Sequence, residues 1–221
     1  MPPYQLPPLT RPFLNAASGI KWNLSQRIER LNWLRGLYPN SAQLFELSTG
    51  QRVLMYESKF DIDADGSGGD QTGGKDTYLP DTSLHGADGK PLNSYTVPFA
   101  VIPLRYRDRA TMAKQPWLGE FVNIGDVGMA FYKGAVKEYI YGDYGPGQKI
   151  GEGSVDLAKA LGINPSPLYG GIQGIPPQRG VVHVAFLGSA RNSAKHAHPT
   201  TTLETAEIAA LARSLFQDFK R

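Results

Sequence analysis

The chain has 221 residues, enough for one domain with a sizeable core, and a net charge of +3. Glycine (25 residues) and proline (17 residues) are abundant, which argues against a coiled coil or an all-helical bundle, and no apolar run reaches the roughly 18 residues of a membrane span. The absence of cysteine excludes disulfides, thiolate nucleophiles and cysteine-ligated zinc.

The first 42 residues are predicted to form an extended arm followed by an amphipathic helix. Prolines at positions 2, 3, 7, 8 and 12 prevent a regular helix and occupy the place where a secretion signal would have its apolar run. From Trp22 to Tyr38, leucine and isoleucine recur at helical spacing, and Gly36 with Pro39 would end the helix. We therefore expect a helix in residues 22–38 and no export signal within this chain.

The central part, residues 43–190, is predicted to be a mainly β domain. A hairpin is expected in residues 43–56, with Ser48-Thr49-Gly50-Gln51 as its turn, and a short helix in residues 156–161. Further strands are predicted at residues 95–104, 121–122, 127–132, 136–141 and 181–187, with a tight turn at Lys133-Gly134. Six or seven strands with one short internal helix favour a small barrel, flanked by the N-terminal and C-terminal helices.

Residues 61–93 are rich in Asp, Gly, Ser and Thr, and they are predicted to form a long loop. Loops of this length are uncommon in a compact domain unless they are functional or disordered. The segment carries seven aspartates against two lysines, although the chain as a whole is basic. Such an acidic patch indicates a site for a cation or for a cationic ligand.

Residues 191–221 are predicted to be a linker and a C-terminal helix. Thr201-x-x-Glu204 matches a capping box at the start of this helix. The apolar residues that share one face of the helix are Ile208, Leu211, Leu215 and Phe219. This face is expected to pack on the barrel or on the helix of residues 22–38.

The acidic segment begins with a D-x-D-x-D-G motif at Asp61, Asp63, Asp65 and Gly66. This spacing places three carboxylates on one side of a turn, as in an EF-hand loop. The twelfth loop position is Thr72 rather than glutamate, so a true EF-hand is not expected. The motif predicts an acidic loop that holds Ca²⁺ or another ligand, and a merely solvated turn is the alternative.

Two further carboxylates, Asp143 and Glu152, flank a reversal that is rich in glycine and proline, so both can face one cleft. Glycoside hydrolysis requires such a pair, with one protonated acid and one carboxylate that acts on water or on the sugar. The spacing alone also fits two solvated or turn-capping side chains. Both interpretations stay open at this point.

Histidines and basic residues give weaker signals. His183 lies inside a predicted buried strand and is interpreted as a hydrogen-bonded structural residue. The pair His196-x-His198 could bind a metal, but its position in a linker favours an ordinary surface role. The basic residues between positions 105 and 114 are interpreted as a solvated surface loop rather than a nucleic-acid interface. The sequence contains no Walker loop, no G-x-S-x-G and no H-E-x-x-H.

Several motifs follow one another in order between residues 53 and 189. They are Tyr56-x-Ser58-Lys59-Phe60-Asp61-Ile62-Asp63-x-Asp65-Gly66, Asp81-Thr82-Ser83-Leu84, Pro91-Leu92-Asn93 with Val97-Pro98-Phe99, Gly125-Asp126-Val127-Gly128, Gly142-Asp143-x-Gly145-Pro146, Lys149-Ile150-Gly151-Glu152-x-Ser154 and Leu161-Gly162-Ile163-Asn164-Pro165. Together these motifs resemble glycoside hydrolase family 75, the endo-chitosanases. The two terminal segments lie outside the resemblance.

The resemblance implies hydrolysis of β-1,4 bonds in chitosan with inversion, catalysed by Asp143 and Glu152. Our hypothesis makes Glu152 the general acid and Asp143 the general base, which requires carboxyl groups roughly 6.5–9.5 Å apart. Aspartates of the acidic loop would pair with the ammonium groups of glucosamine, or would instead shape the cleft by internal hydrogen bonds. The expected substrate-binding residues are Lys59, Asp61, Asp63, Asp65, Thr82, Ser83, Asn93 and Tyr144.

The resemblance further implies a secreted monomer that acts on chitosan or its oligosaccharides with no cofactor, no metal and no nucleic-acid or membrane partner. The strand pattern of residues 136–158 is similar to a double-psi β-barrel, a fold used by several polysaccharide-cleaving proteins. Two alternatives remain open. The same barrel could act on chitin or on peptidoglycan, whose negative charge suits a basic protein, or the chain could be a carbohydrate-binding or Ca²⁺-binding module without turnover.

Overall fold

The computed structural model describes residues 43–47, 49–66, 79–103, 119, 121–145, 150–165, 180–195 and 197–219. The predicted N-terminal arm and helix, the basic residues between 105 and 114, and His196 lie outside the described residues. None of the helices in the described ranges combines the length and the apolar character that a membrane crossing requires.

Strands dominate the described residues, which confirms the predicted mainly β class. The strands are β1 (Gln43–Glu46), β2 (Arg52–Ser58), β3 (Asp61–Asp63), β4 (Phe99–Pro103), β5 (Val127–Tyr132), β6 (Ala135–Gly145), β7 (Glu152–Ser154), β8 (Val181–Leu187), β9 (Asn192–Lys195) and β10 (His198–Thr201). The helices are α1 (Val155–Ala160) and α2 (Thr205–Phe219).

Eight of these strands form one mixed sheet in the order β1-β2-β8-β5-β6-β4-β7-β3. Along this order, the neighbouring strands β1-β2, β2-β8, β8-β5 and β5-β6 pair antiparallel. The pairs β6-β4 and β7-β3 are parallel. β1 and β3 stand at the two ends of the order, and within the described ranges no pairing between them closes the sheet. The predicted closed barrel of six or seven strands is therefore not found there. The sheet has more strands than predicted because two short strands, β3 and β7, lack the apolar pattern of a strand.

β8 is the third strand in this order, and every one of its residues is buried. It pairs with β2 on one side and with β5 on the other. A strand that is covered on both faces has a continuous apolar run, which is why the sequence predicted its bounds correctly. The polar exception is His183, whose Nδ1 lies 3.3 Å from the hydroxyl of Tyr139 and whose ring stacks on Tyr56. Burial lowers the pKa of His183 to about 3, which agrees with the predicted structural role.

Local turn chemistry also agrees with the sequence. The predicted hairpin is β1 paired with β2, in register from Gln43 opposite Met55 to Glu46 opposite Arg52. The turn between β5 and β6 has positive φ at Lys133 (45°) and at the glycine that follows it (87°), as a two-residue type I′ turn requires. The side chain of Ser154 caps the short helix α1 by accepting a hydrogen bond from the backbone N–H of Leu157.

Three predicted segments differ from the structure. Residues 121–122 are not a strand, and the predicted loop 61–93 begins with β3. The strand predicted at residues 95–104 is shortened to β4, because a turn at Asn93 keeps the preceding residues out of the sheet. In this turn the Asn93 Oδ1 accepts from the N–H of Tyr95 at 2.9 Å, and the Asn93 carbonyl accepts from the N–H of Val97 at 2.8 Å.

The C-terminal part contains a hairpin where a simple linker was predicted. β9 and β10 pair antiparallel, and Thr201 belongs to β10 rather than capping a helix, so the predicted capping box was wrong. α2 begins four residues later, and the Glu207 carboxylate accepts from the backbone N–H of Glu204 at 2.9 Å. The helix packs on the sheet as expected, with Phe216 against Phe131 at 5.3 Å between ring centroids.

Phe216→Ala is expected to lower the free energy of unfolding by about 3 kcal/mol, because it deletes an aromatic side chain that is 2% exposed between α2 and the sheet. Urea denaturation followed by circular dichroism measures the change. The matched control is Ser214→Ala, an exposed position on the same helix, which should change stability by less than about 0.5 kcal/mol. Equal effects of the two substitutions would contradict the packing of α2.

Candidate active site

The strand order places β6 and β7, which carry the two predicted catalytic carboxylates, on the two sides of β4. β4 lies between β6 and β7, with Val101 opposite Asp143 and Ala100 opposite Gly153. β7 continues to β3, where Glu152 stands opposite Asp61. The end of β6 and the start of β7 therefore meet near the acidic segment, although they are joined by residues 146–149, which lie outside the described ranges.

Asp143 is 5% exposed and is held by three hydrogen-bond donors. Its Oδ1 accepts from the backbone N–H of Ser83 at 2.9 Å, from the Ser83 hydroxyl at 2.5 Å and from the backbone N–H of Tyr144 at 2.7 Å. Burial raises the pKa of the Asp143 carboxyl, and these three hydrogen bonds oppose the rise because they favour the charged form. The result is a fixed, buried carboxyl group with all three donors on one oxygen.

Asp63 and Asp65 lie beside Asp143. The carboxylate oxygens of the three residues are within 4.8 Å of one another, and we call this group the acidic cluster. The Asp63 Oδ1 accepts from the N–H of Asp65 at 2.8 Å, and the Asp65 Oδ1 accepts from the N–H of Leu79 at 2.6 Å. Burial, followed by the neighbouring charge of Asp65, raises the pKa of Asp63 well above its usual value, and the charges of Asp143 and Glu152 act in the same direction.

Glu152 reaches the same place from β7. A side chain added at Gly145 would lie 2.7 Å from the Glu152 Oε2, so this carboxylate rests directly against the backbone two residues after Asp143. Glu152 is only half-buried, whereas Asp143 is buried. Both of them act electrostatically on Asp63, which shows that the two predicted catalytic residues share one acidic environment.

The remaining aspartate of the D-x-D-x-D-G motif has a different partner. Asp61 forms an ion pair with Lys59, and both side chains are 15% exposed. Each of these two predicted substrate-binding residues thus neutralises the other. The third carboxylate of the cluster comes instead from Asp143, far away in sequence.

The other predicted binding residues divide into two kinds. Ser83 and the backbone N–H of Tyr144 donate to Asp143, and Tyr144 is 39% exposed. Thr82 is buried, and its hydroxyl donates to the carbonyl of Leu84 at 2.7 Å and accepts from the N–H of Leu92 at 2.8 Å. Thr82 therefore shapes the loop that carries Ser83. Asn93 has a similar structural role in the turn that it forms.

Asp63→Asn is expected to raise stability at neutral pH by about 0.5–2 kcal/mol, the range of a typical stabilising substitution. A carboxyl group whose folded-state pKa is raised contributes stability at low pH and loses it as the pH rises through the raised value. The wild type should therefore lose stability relative to Asp63→Asn as the pH rises above about 4, the usual pKa of an aspartate. Urea denaturation at a series of pH values measures the difference, and a gap that does not change with pH would contradict the interpretation.

A second polar cluster was not predicted from the sequence. The Asp81 Oδ1 lies 2.7 Å from the Nε2 of His85, and the Asp81 Oδ2 lies 3.4 Å from the Nε2 of His198. The two imidazole rings stack at 4.5 Å between centroids. The spacing of Asp81 and His85 by four residues was a weak signal, but their contact with His198 depends on the tertiary fold.

No protein-family model matches the chain, and no curated protein matches it. The resemblance to glycoside hydrolase family 75 therefore stays a prediction that rests on the motifs of the sequence. What the site can do follows from its side chains, which are several neighbouring carboxyl groups, and two of them, Asp63 and Asp143, are buried and accept hydrogen bonds.

Proposed function

We propose that the chain is an inverting endo-chitosanase that uses Asp143 and Glu152 as its catalytic pair. The observation that carries the proposal is the approach of Glu152 and the acidic cluster at the end of β6, where Asp143 is fixed by three donors. Two carboxyl groups in unlike surroundings are what glycoside hydrolysis needs. As part of the same proposal, the sheet belongs to a double-psi β-barrel.

In this mechanism Asp143 is the general base. Its three donors converge on Oδ1 and favour the ionised form, and Oδ2 is the oxygen that takes a proton from the attacking water. The raised pKa of Asp63 helps, because a carboxyl that keeps its proton adds no negative charge beside the base. Asp63 is thus a positioning residue that allows Asp143 to stay ionised.

Glu152 is the general acid in the same step. As the water oxygen bonds to the anomeric carbon, the bond from that carbon to the glycosidic oxygen breaks, and Glu152 gives its proton to the leaving oxygen. The product carries the opposite anomeric configuration, and Glu152 regains a proton from solvent. Its half-buried position fits a group that must meet both sugar and solvent.

The choice of chitosan rests on charge. Glucosamine units carry ammonium groups, and a site with several carboxyl groups within a few ångströms attracts cations. Asp65 is less buried than Asp63 and is the member of the cluster best placed to meet such a group. Tyr144, the residue after Asp143, is exposed, and its ring offers a flat apolar surface to a sugar.

The test compares three polymers with the same preparation of the intact chain. Reducing-end release and loss of viscosity are measured with highly deacetylated chitosan, with soluble chitin and with purified peptidoglycan. We expect cleavage of chitosan and much slower release from the two acetylated polymers. Release from peptidoglycan or chitin alone would establish the first alternative. Binding without release, or melting that depends on Ca²⁺ while no polymer is cleaved, would favour a non-catalytic module.

A further inference from the structure

Asp81, His85 and His198, called the histidine cluster below, contain three metal-ligating side chains that the proposed hydrolysis does not use. Their ligand atoms, one carboxylate oxygen and two Nε2 atoms, all lie within 4.8 Å of one another. In a tetrahedral zinc site with bonds of 2.0–2.2 Å, neighbouring ligand atoms lie roughly 3.4 Å apart. The observed separation from Asp81 to His198, 3.4 Å, equals this value, and the separation to His85, 2.7 Å, is shorter.

The backbone holds the cluster together across a long stretch of sequence. The N–H of His85 donates to the carbonyl of Pro199 at 3.0 Å, and the N–H of Thr201 donates to the carbonyl of His85 at 2.9 Å. These two bonds tie the loop of His85 to strand β10, which carries His198. Asp81 is fixed as well, because its Oδ1 accepts from the N–H of Thr82 at 2.9 Å. The ligands are therefore supplied by two segments whose separation is already set.

The cluster is also accessible. The side chains of His85, Asp81 and His198 are 16%, 47% and 38% exposed, so an ion can enter from solvent without opening the core. Two imidazoles and one carboxylate are borderline donors that suit zinc, whereas Ca²⁺ and Mg²⁺ prefer oxygen ligands alone. Three protein ligands leave the fourth position of a tetrahedral ion for water.

We propose that Asp81, His85 and His198 form a zinc site. The bound ion would link the loop that contains Ser83 to the hairpin of β9 and β10. This proposal replaces our expectation of a chain without a metal. It is independent of the activity on chitosan, because none of the three residues belongs to the catalytic pair or to the acidic cluster. It also differs from the metal pair considered in the sequence, since the partner of His198 is His85 rather than His196.

The competing interpretation is a hydrogen-bonded triad without a metal. Two neutral histidines can both donate from Nε2 to the one carboxylate of Asp81, at the distances that are observed. This arrangement and the zinc site use the same atoms. A zinc titration distinguishes the two arrangements, because only the zinc site binds the ion.

The experiment titrates the EDTA-treated, dialysed full chain with zinc chloride in a calorimeter at neutral pH. We expect one equivalent of zinc to bind and the Tm to rise with zinc concentration, because the ion binds the folded state. His85→Ala and His198→Ala should each weaken zinc binding by at least about tenfold, since each removes a ligand. Cobalt(II) provides a second readout, because its visible absorption is intense only in a tetrahedral site.

Two matched controls locate the site. Asp88→Asn removes an exposed carboxylate near Asp81 and His85, and Asp63→Asn alters the acidic cluster, so both should keep the zinc affinity of the wild type. Asp81→Asn retains the shape and hydrogen-bonding capacity of the side chain, and it should weaken zinc binding while the far-ultraviolet circular dichroism is unchanged. The proposal is wrong if the wild type binds no zinc, if the double variant His85→Ala with His198→Ala binds as well as the wild type, or if only Asp63→Asn loses binding.

Discussion

Asp143→Asn and Glu152→Gln are each expected to lower kcat on chitosan by about 10²–10⁴-fold, the usual contribution of a group that transfers a proton in the transition state. Asparagine at position 143 can still accept from Ser83 and Tyr144, but it cannot take a proton from water. Glutamine at position 152 keeps the size of the side chain and has no proton to give to the leaving oxygen. Reducing-end release under saturating chitosan measures both effects.

The matched control for these variants is Asp88→Asn, which removes an exposed carboxylate from the same acidic segment but outside the acidic cluster. Its kcat should equal that of the wild type. If Asp88→Asn lowered activity as much as the two site variants, the loss would reflect the general negative charge of the segment. If either Asp143→Asn or Glu152→Gln retained full activity in a folded protein, the assignment of that residue would be wrong.

Gly145→Ala is expected to produce the second large effect, a loss of kcat of about 10²-fold. The added methyl group would lie 2.7 Å from the Glu152 Oε2 and 2.6 Å from a methyl group of Val101. The carboxylate is the end of a flexible side chain, so it would swing away from its position. Since a shift of about 1 Å in a catalytic group can cost 10²-fold in rate, the displacement should be visible in kcat.

A double-mutant cycle shows whether Gly145→Ala acts through Glu152. If it does, Gly145→Ala combined with Glu152→Gln should be no slower than Glu152→Gln alone. If the two losses multiply instead, the added methyl group harms the site by another route, for example through Val101. Thermal melting of all three variants separates displacement from unfolding.

The parts of the fold that follow from local pattern agreed with the sequence. β8 is an uninterrupted apolar run, and the turn at Lys133 has the residue types that positive φ demands. The sequence analysis did not predict β3 and β9, because their sequences, Asp-Ile-Asp and Asn-Ser-Ala-Lys, are polar. These segments become strands by pairing with neighbouring strands. The start of α2 was predicted too early. The hydroxyl of Thr201 accepts a hydrogen bond from the N–H of Leu203 within an extended segment instead of capping the helix.

The sequence pointed to the carboxylate residues of the candidate site but not to the contacts among them. The D-x-D-x-D-G spacing predicts that Asp61, Asp63 and Asp65 lie together. In the structure Asp61 forms an ion pair with Lys59, and Asp143 lies beside Asp63 and Asp65. That exchange depends on strand order, because β4 places the end of β6 beside β7 and β3. The contact of Asp81 with His198 has the same origin, since it crosses more than a hundred positions of sequence through a loop bound to β10.

The acidic cluster also has an energetic consequence for the whole protein. Burial of Asp63 and Asp143 raises the pKa of both carboxyl groups, so their ionisation at neutral pH opposes folding. A buried group that weakens the fold is typical of a functional site, where stability is exchanged for reactivity. A gain in stability at neutral pH for Asp143→Asn, together with the loss of activity expected for the same variant, would show this exchange directly.

The most direct test of the account is the anomeric configuration of the first product. Proton NMR of a chitosan oligosaccharide, recorded within minutes of adding the intact chain, follows the new reducing end before mutarotation mixes the two anomers. Hydrolysis of a β-linked substrate by Asp143 and Glu152 in one displacement predicts that the α-anomer appears first. Initial release of the β-anomer would mean retention and a covalent intermediate, and no release of sugar at all would contradict the proposed chitosanase.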